Sequence, residues 1–443
     1  MSALDHYDYH PLQVAKDGSL VDRDQVRALR RLADESTDVL VLAHGWNNDM
    51  EEAHALYERI ATRLDDVRGR PDAGGSDRSV AICGVLWPSK RFAERSLISG
   101  GAAAAGAADP HLSEDVLDLA SAFDGVEAEA ALKEAADLAP ELERSAQARR
   151  RYADLLRSLV TREESEPSDA IDQFFDLDGD ELMDRIEAAA LDLMTEMPPP
   201  EETGATAANG SADGLGLGAG FGSAQGLLGG LASKGRMLLN LVTYYEMKNR
   251  AGTIGAGTVG PALADNVVGR ARIHLAGHSF GGRLVTAAAS VQQPGAVASL
   301  SLLQAAFSHN AFAQDWKPGR DGAYRSLVTS GIVDGPVVIT HTRHDVAVGI
   351  AYAMASRIAG QQDSAIGDAS STYGGLGSNG AQHTPEAVDG RLRKVGSTYD
   401  LGAGSLHNLL ADEFVSGHSD VSGPEVAAAV WQAVLAGGAP REP

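Results

Sequence analysis

One serine stands in a setting that could make its hydroxyl group reactive. Residues 277–281 read Gly-His-Ser-Phe-Gly, with Ser279 at the centre, and Gly282 follows. The apolar run 271–277 and the small-residue stretch 281–290 predict a strand, a tight turn and a helix. Glycines beside the serine leave room for such a turn and for close packing of the helix on the strand. The pattern favours Ser279 as a nucleophile over a plain glycine-rich turn in which the serine only caps the helix.

A serine hydroxyl is a poor nucleophile at neutral pH, so it needs a base and a third group that orients the base. Asp345 follows the strand predicted at 336–340, and His418 lies between the last predicted strand, 406–411, and the last helix. Both positions are loops at the carboxyl ends of strands, where the sites of open α/β sheets gather. We therefore expect His418 to take the proton from Ser279 and Asp345 to orient His418.

Other side chains are alternatives for these two roles. For the base, His407 lies inside an apolar run and His383 in a glycine-rich loop, which makes both weaker candidates. The alternative acids are Asp334, Asp363 and Asp368. The first of these precedes its strand, and the other two follow a helix. His341 and His344 beside Asp345 also allow a metal site, but two histidines and one carboxylate on a loop are weak evidence for it. We expect no metal and no organic cofactor.

Acyl transfer would also need N–H groups that bind a developing oxyanion. The backbone N–H of Phe280, next to the serine, is the expected first donor. The second donor usually comes from the loop after an earlier strand. His44-Gly45-Trp46 follows the apolar strand predicted at 39–43, so we expect the Trp46 N–H to donate and His44 and Gly45 to shape the loop. The plainer interpretation is a strand-end turn with a packed tryptophan.

The elements that must position these residues alternate between strands and helices. Further strands are predicted at 79–87 and 297–303, a short strand pair within 6–21, and helices at 22–33, 50–67 and 424–435. Such alternation predicts an α/β fold with a mostly parallel central sheet and helices on both faces.

This set of motifs resembles the α/β-hydrolase superfamily, the esterase and lipase branch in particular. The residues that carry the resemblance are His44-Gly45, Gly277-His278-Ser279-Phe280-Gly281, Asp345 and His418. The resemblance covers roughly residues 37–94 and 236–435. It implies an α/β-hydrolase fold and a serine hydrolase that acts on a carboxylic ester or related acyl compound, small or lipid-like, through an acyl-enzyme intermediate.

The chain departs from the plain hydrolase pattern in a long insertion. Residues 1–94 and 236–443 are predicted to form the two parts of the core, and 95–235 a helical insertion. Within the insertion, residues 109–203 carry 27 acidic and eight basic side chains, a net charge of −19. The uncharged, glycine-rich stretch 214–233 is a candidate cap or lid, since its glycines disfavour a membrane-spanning helix.

Composition narrows the choice of partners and location. The formal net charge of −24 argues against nucleic acid and anionic membranes as partners. Cys83 is the only cysteine, which excludes an internal disulfide and a cysteine-based zinc cluster. Residues 1–11 are polar and acidic rather than basic and then apolar, so we expect a cytoplasmic protein without stable membrane insertion.

Two further functions remain open from the sequence. The same three side chains would serve an amidase, a peptidase or an acyltransferase, because the nucleophile and base do not select the acyl acceptor. A catalytically inert scaffold that binds a partner protein through the acidic insertion is the non-enzymatic alternative. The sequence does not favour one oligomeric state over another.

Overall fold

The computed structural model describes residues 2–4, 6–89, 110–123, 125–162, 171–196, 231–264, 269–358 and 368–438. These residues form two compact units. The first unit comprises Met1–Ser89, Arg250–Asp345 and Gly375–Pro443, and the second comprises Lys90–Asn249 and Val346–Gly374. Most of the predicted lid, residues 214–230, lies outside the described residues.

A single sheet of nine strands forms the centre of the first unit. The strands are β1 (Ser2–Leu4), β2 (Tyr7–Gln13), β3 (Asp38–Ala43), β4 (Val80–Leu86), β5 (Arg272–His278), β6 (Val297–Leu303), β7 (Val337–His341), β8 (Ala387–Arg391) and β9 (Leu406–Leu410). Their spatial order is β1-β2-β4-β3-β5-β6-β7-β9-β8. Among these nine described strands, β1 alone pairs antiparallel to its neighbour, and β2 to β9 form eight parallel strands. The predicted α/β class with a mostly parallel sheet is therefore confirmed.

Helices account for most of the remaining described residues. The described α-helices of four or more residues are α1 (Asp24–Asp34), α2 (Met50–Arg68), α3 (Pro110–Asp118), α4 (Val126–Leu138), α5 (Ala146–Arg157), α6 (Ile171–Asp176), α7 (Gly179–Glu196), α8 (Leu231–Ile254), α9 (Phe280–Ser290), α10 (Arg325–Thr329), α11 (Val346–Ile358), α12 (Leu376–Asn379) and α13 (Pro424–Ala436). Helices α3 to α7, α11 and most of α8 belong to the second unit. Among the described helices, none is both long enough and apolar enough to cross a lipid bilayer.

The central strands are buried along their whole length. Every residue of β3, β4, β5 and β6 is buried, as continuous apolar runs in a parallel sheet predict. A hydrophobic core joins this sheet to α2 and α13, with Leu56 and Leu64 from α2 and Trp431 and Val434 from α13 among its members. The core holds the strand ends in fixed positions relative to one another.

Two parts of the sheet differ from the sequence prediction. The strand pair predicted within residues 6–21 is confirmed in part: the segment contributes one strand, β2, and the chain then turns back antiparallel through a bridge between Val14 and Leu20. The second half of the pair is too short to form a strand, and β2 pairs with β1 and β4, partners that local patterning cannot identify. Strand β8 has no counterpart in the prediction. Four of its five residues are exposed, and Asp389 and Arg391 are the kind of charged side chains that protect a sheet edge.

A buried polar cluster links the amino ends of four strands. Arg78 Nη1 and His274 Nε2 donate to Asp38 Oδ1 over 2.6 and 2.9 Å. Thr37 Oγ1 donates to Asp38 Oδ2 over 2.6 Å, and Ser299 Oγ donates to His274 Nδ1 over 2.8 Å. Each polar group thus has a partner, which a buried charge requires. His274 stays neutral, because burial lowers its pKa more than Asp38 raises it.

We expect Asp38→Asn to lower the free energy of unfolding by about 3 kcal/mol or more, since it leaves a buried guanidinium without its counter-charge. Urea unfolding at pH 7.5 measures the loss. The matched control is Asp334→Asn, because Asp334 pairs with Arg272 but its side chain is 60% exposed, and exposed pairs contribute about 0–1 kcal/mol. Equal losses in the two variants would contradict a structural role for the cluster.

Candidate active site

Ser279 occupies a strained turn between strand β5 and helix α9. Its backbone has φ 57° and ψ −126°, a combination that residues with a side chain rarely adopt. A Cβ on Gly277 would lie 2.3 Å from the carbonyl oxygen of Gly281, and one on Gly281 would lie 2.2 Å from that of Ala43. Glycine is therefore required on both sides, and the turn lifts the serine out of the strand at its carboxyl end.

Three predicted side chains meet at this edge of the sheet. Strands β5, β7 and β9 run parallel, so the loops after them lie at the same edge. His418 Nε2 is 2.9 Å from Ser279 Oγ, and His418 Nδ1 is 2.9 and 3.0 Å from the two carboxylate oxygens of Asp345. All three residues are buried, with exposed fractions of 3% or less.

The hydrogen-bond partners fix where the protons lie. A carboxylate only accepts, so His418 Nδ1–H donates to Asp345. His418 Nε2 is then an acceptor for the hydroxyl proton of Ser279. This arrangement can remove the serine proton as the oxygen attacks an electrophile, and it places a negative charge beside the imidazolium that forms. Water is largely excluded from the three side chains, which strengthens these electrostatic interactions.

The loop His44-Gly45-Trp46 lies against the serine. A Cβ on Gly45 would be 2.7 Å from Ser279 Cβ and 3.2 Å from Ser279 Oγ, so only a glycine backbone fits there. The Trp46 ring packs on the Phe280 ring, with 5.8 Å between centroids. The loop after β3 and the residue after the serine, which the sequence marks as the sources of two N–H donors, are thus neighbours.

His44 is held as a neutral ring inside this loop. Its Nδ1–H donates to the Gly45 carbonyl over 2.9 Å, and its Nε2 accepts from the Trp87 backbone N–H over 3.3 Å. The His44 and Trp87 rings stack with centroids 5.6 Å apart. Burial lowers the pKa of His44 to about 4, although the hydrogen bond to Gly45 opposes the shift. The loop therefore keeps one tautomer and one conformation at neutral pH.

His278, the residue before the serine, contacts both the backbone and the ring of His418. Its Nε2 is 2.9 Å from the backbone carbonyl oxygen of His418, and the two rings are 4.9 Å apart with an angle of 44° between them. Burial and the neighbouring His418 lower the pKa of His278 to about 3. Nothing in the serine motif identifies this contact, because the motif constrains only the glycines and the serine.

The alternative bases lie in other surroundings. His407 Nε2 is hydrogen-bonded to Ser405 Oγ over 2.6 Å, within the second position of strand β9. His383 lies in a loop with φ 50°. The imidazole within hydrogen-bond distance of Ser279 Oγ is that of His418.

Two of the three alternative acids are described. Asp334 precedes β7 and lies 3.5 Å from Arg272 Nη2. Asp368 accepts from the backbone N–H and the hydroxyl of Ser370. Asp363 lies outside the described residues. The carboxylate that contacts the imidazole of His418 is therefore not one of these two.

The part of the chain that the structure describes contains no group of three or more His, Cys, Asp or Glu side chains that could hold a metal ion. His341, one of the two histidines predicted as possible ligands, ends strand β7 and is partly buried, and this burial lowers its pKa. The backbone N–H of His344 donates to Thr342 Oγ1 over 3.2 Å. His341 thus closes the strand, and His344 lies in the turn that leads to Asp345.

One acidic residue at the site was not identified from the sequence. Asp412 accepts hydrogen bonds from Thr342 Oγ1 over 2.9 Å, from the Arg343 backbone N–H over 3.0 Å and from Arg343 Nε over 2.7 Å. Burial raises the pKa of Asp412, but these hydrogen bonds outweigh it and the net shift is downward. Asp412 thus ties the loop of Asp345 to the segment that leads from β9 to His418. Opposite charges 69 positions apart form no sequence pattern that would have revealed the pair.

Comparisons with protein-family models, with curated proteins and with solved structures find nothing that matches this chain.

We expect the free energy of unfolding to fall between pH 7.5 and pH 5, because His44 and His278 are neutral when folded and take up a proton when unfolded. The pKa values of about 4 and about 3 lie below the usual 6.5, so stability is lost as the pH drops through 6.5. The loss at pH 5 is about 2 kcal/mol for each histidine. Urea unfolding at the two pH values measures it.

The variant His44→Gln should reduce this pH dependence by about 2 kcal/mol. The control is His111→Gln, whose histidine side chain is 61% exposed and which should leave the pH dependence unchanged. A pH dependence that His44→Gln leaves as large as in the native chain would show that His44 does not stay neutral when folded.

Proposed function

We propose that this chain is a serine hydrolase of the α/β-hydrolase type that cleaves a carboxylic ester or a related acyl compound through an acyl-enzyme intermediate. The observation that carries the proposal is the continuous hydrogen-bonded series Ser279–His418–Asp345. The serine lies in a strained turn between a parallel strand and a helix, the setting that exposes a nucleophile in such folds. The single sheet with eight parallel strands supports the same assignment.

The first half of the reaction forms the acyl-enzyme. Ser279 Oγ attacks the acyl carbon while its proton passes to His418 Nε2, and Asp345 stabilises the imidazolium. The tetrahedral intermediate then expels the alcohol, which takes the proton from His418 as the carbon–oxygen bond breaks. In the second half, water gives a proton to His418 and attacks the ester carbon. The acid is released and Ser279 regains its proton.

The oxyanion would be bound by the backbone N–H groups of Phe280 and Trp46. The Gly45 carbonyl accepts from His44 Nδ1 over 2.9 Å and from Asn48 Nδ2 over 3.3 Å. The described residues contain no cis peptide bond, so the Trp46 N–H points away from this carbonyl. Because both bonds hold the carbonyl, they also fix the direction of the N–H, and a preorganised donor is what oxyanion stabilisation requires.

The same three side chains would also support cleavage of amides and thioesters or acyl transfer to another acceptor. We place carboxylic esters first, since the resemblance is to the esterase and lipase branch. Turnover of matched p-nitrophenyl ester, anilide and thioester substrates would rank the acyl classes.

A fluorophosphonate probe should label the native chain covalently, and Ser279→Ala should abolish the labelling, because only an activated serine attacks phosphorus at a useful rate. Mass spectrometry of the labelled peptide measures the site. The matched control is Ser299→Ala: Ser299 is also hydrogen-bonded to a histidine that contacts an aspartate, His274 and Asp38. That serine lies inside β6 at the other end of the strands, so Ser299→Ala should label like the native chain.

If the native chain is not labelled but binds a partner protein in a pull-down, the inert scaffold is favoured over the hydrolase. Persistent labelling of Ser279→Ala would show that another residue is the nucleophile.

Asp345→Asn should lower kcat for a short p-nitrophenyl ester by about 10⁴-fold, because the amide cannot hold His418 in the required tautomer or stabilise its positive charge. Steady-state kinetics at pH 7.5 give kcat and KM. Asp334→Asn is the control, since Asp334 lies at the amino end of β7 and should leave kcat within about twofold. A similar small effect in both variants would remove Asp345 from the mechanism.

A further inference from the structure

The base lies on a loop whose first part is anchored by Asp412 to the loop of Asp345, and the turn around His418 has contacts of its own. Strand β9 ends at Leu410, eight positions before His418. The turn around His418 closes on itself, since the backbone N–H and hydroxyl of Ser416 donate to Asp420 Oδ2 over 3.0 and 2.8 Å. These bonds shape the turn but do not connect it to the sheet. The hydrogen bond between His278 Nε2 and the His418 carbonyl, 2.9 Å long, joins the turn directly to the end of strand β5.

The acceptor in this bond fixes the protonation of His278. A carbonyl oxygen only accepts, so Nε2 bears the proton and Nδ1 bears none. Nδ1 is buried and has no hydrogen-bond partner among the described residues. Burial disfavours a second proton on this ring, and so do the neighbouring imidazoles of His418 and His44. His278 therefore acts as a neutral donor beside a ring that becomes positive during the proposed reaction.

Neither packing nor a role as a second base accounts for this arrangement. A phenylalanine would fill similar space against His418, but it has no N–H to donate. Nε2 of His278 is engaged with a carbonyl, and Nδ1 lies 3.2 Å from the position that a Cβ on Gly45 would take. The ring is thus directed toward the backbone of the base and the neighbouring loop, while Ser279 Oγ bonds to His418.

We infer that His278 is a positioning residue that holds the backbone of His418 and thereby sets the distance between the base and the nucleophile. Two consecutive residues at the end of β5 would then fix both partners: Ser279 carries the nucleophile, and His278 anchors the base that activates it. This inference rests on the proposed function. It adds that the rigid strand end, more than the long loop after β9, defines the 2.9 Å separation of Ser279 Oγ and His418 Nε2.

Two variants distinguish the effect of the His278 N–H donor from the effect of its ring. His278→Phe keeps a ring of similar size without the N–H, and His278→Gln keeps an amide N–H at a similar reach. The measurement is the second-order rate constant for fluorophosphonate labelling from pH 5 to pH 9, with circular dichroism to confirm folding. We expect His278→Phe to label about tenfold to a hundredfold more slowly, because a displaced His418 accepts the proton of Ser279 less readily. The apparent pKa on the acidic side of its pH–rate profile should also differ from that of the native chain. His278→Gln should recover to within about threefold of the native rate.

A rate for folded His278→Phe within twofold of native would overturn the positioning role while leaving the proposed function intact, since the native chain would still label. Equal slowing in His278→Phe and His278→Gln would also overturn it, because the amide N–H of the glutamine should restore the labelling rate. A native chain that does not label overturns the proposed function and this inference together.

A separate measurement applies if His278→Phe does not fold. ¹⁵N-histidine NMR of the native chain should show His278 protonated at Nε2 and not at Nδ1 at pH 7.5, with the signal assigned by its loss in His278→Gln. A proton on Nδ1 would overturn the inference without reference to labelling.

Discussion

The hydrogen bond between His418 and Ser279 joins side chains 139 positions apart, and it depends on the parallel direction of the strands before them. Parallel strands end at the same edge of a sheet, so the loops after β3, β5, β7 and β9 are neighbours although the chain makes long excursions between them. An antiparallel pairing anywhere between β5 and β9 would move one of the three side chains to the opposite edge. The buried core around the sheet is what keeps this register.

The same three residue types occur twice in the first unit with different consequences. At the amino ends of the strands, Ser299 donates to His274 Nδ1, and His274 Nε2 donates to Asp38, whose charge Arg78 also neutralises. At the carboxyl edge the two ring nitrogens exchange partners: His418 Nδ1 bonds to the aspartate and Nε2 to the serine. The serine there lies in a strained turn instead of inside a strand. A serine, a histidine and an aspartate in hydrogen-bond contact are therefore not enough. Backbone strain and position in the sheet distinguish a candidate nucleophile from a structural cluster.

The central strands and the meeting of Ser279, Asp345 and His418 could be predicted from the sequence because each has a local signal or a fixed order along the chain. Continuous apolar runs mark buried parallel strands, and glycines mark the turn. Strand β8 could not, since an exposed edge imposes no apolar pattern. Nor could the contacts of Asp412 and His278, which depend on how loops distant in sequence approach one another. Whether the stretch 214–233 forms a lid stays a prediction.

The positive φ of Ser279 sets stability and chemistry against each other at one position. Backbone strain of this kind costs about 1–3 kcal/mol for a residue with a side chain, and glycine would relieve most of it. A glycine at position 279 would therefore make the turn easier to form and at the same time remove the hydroxyl group that lies beside His418.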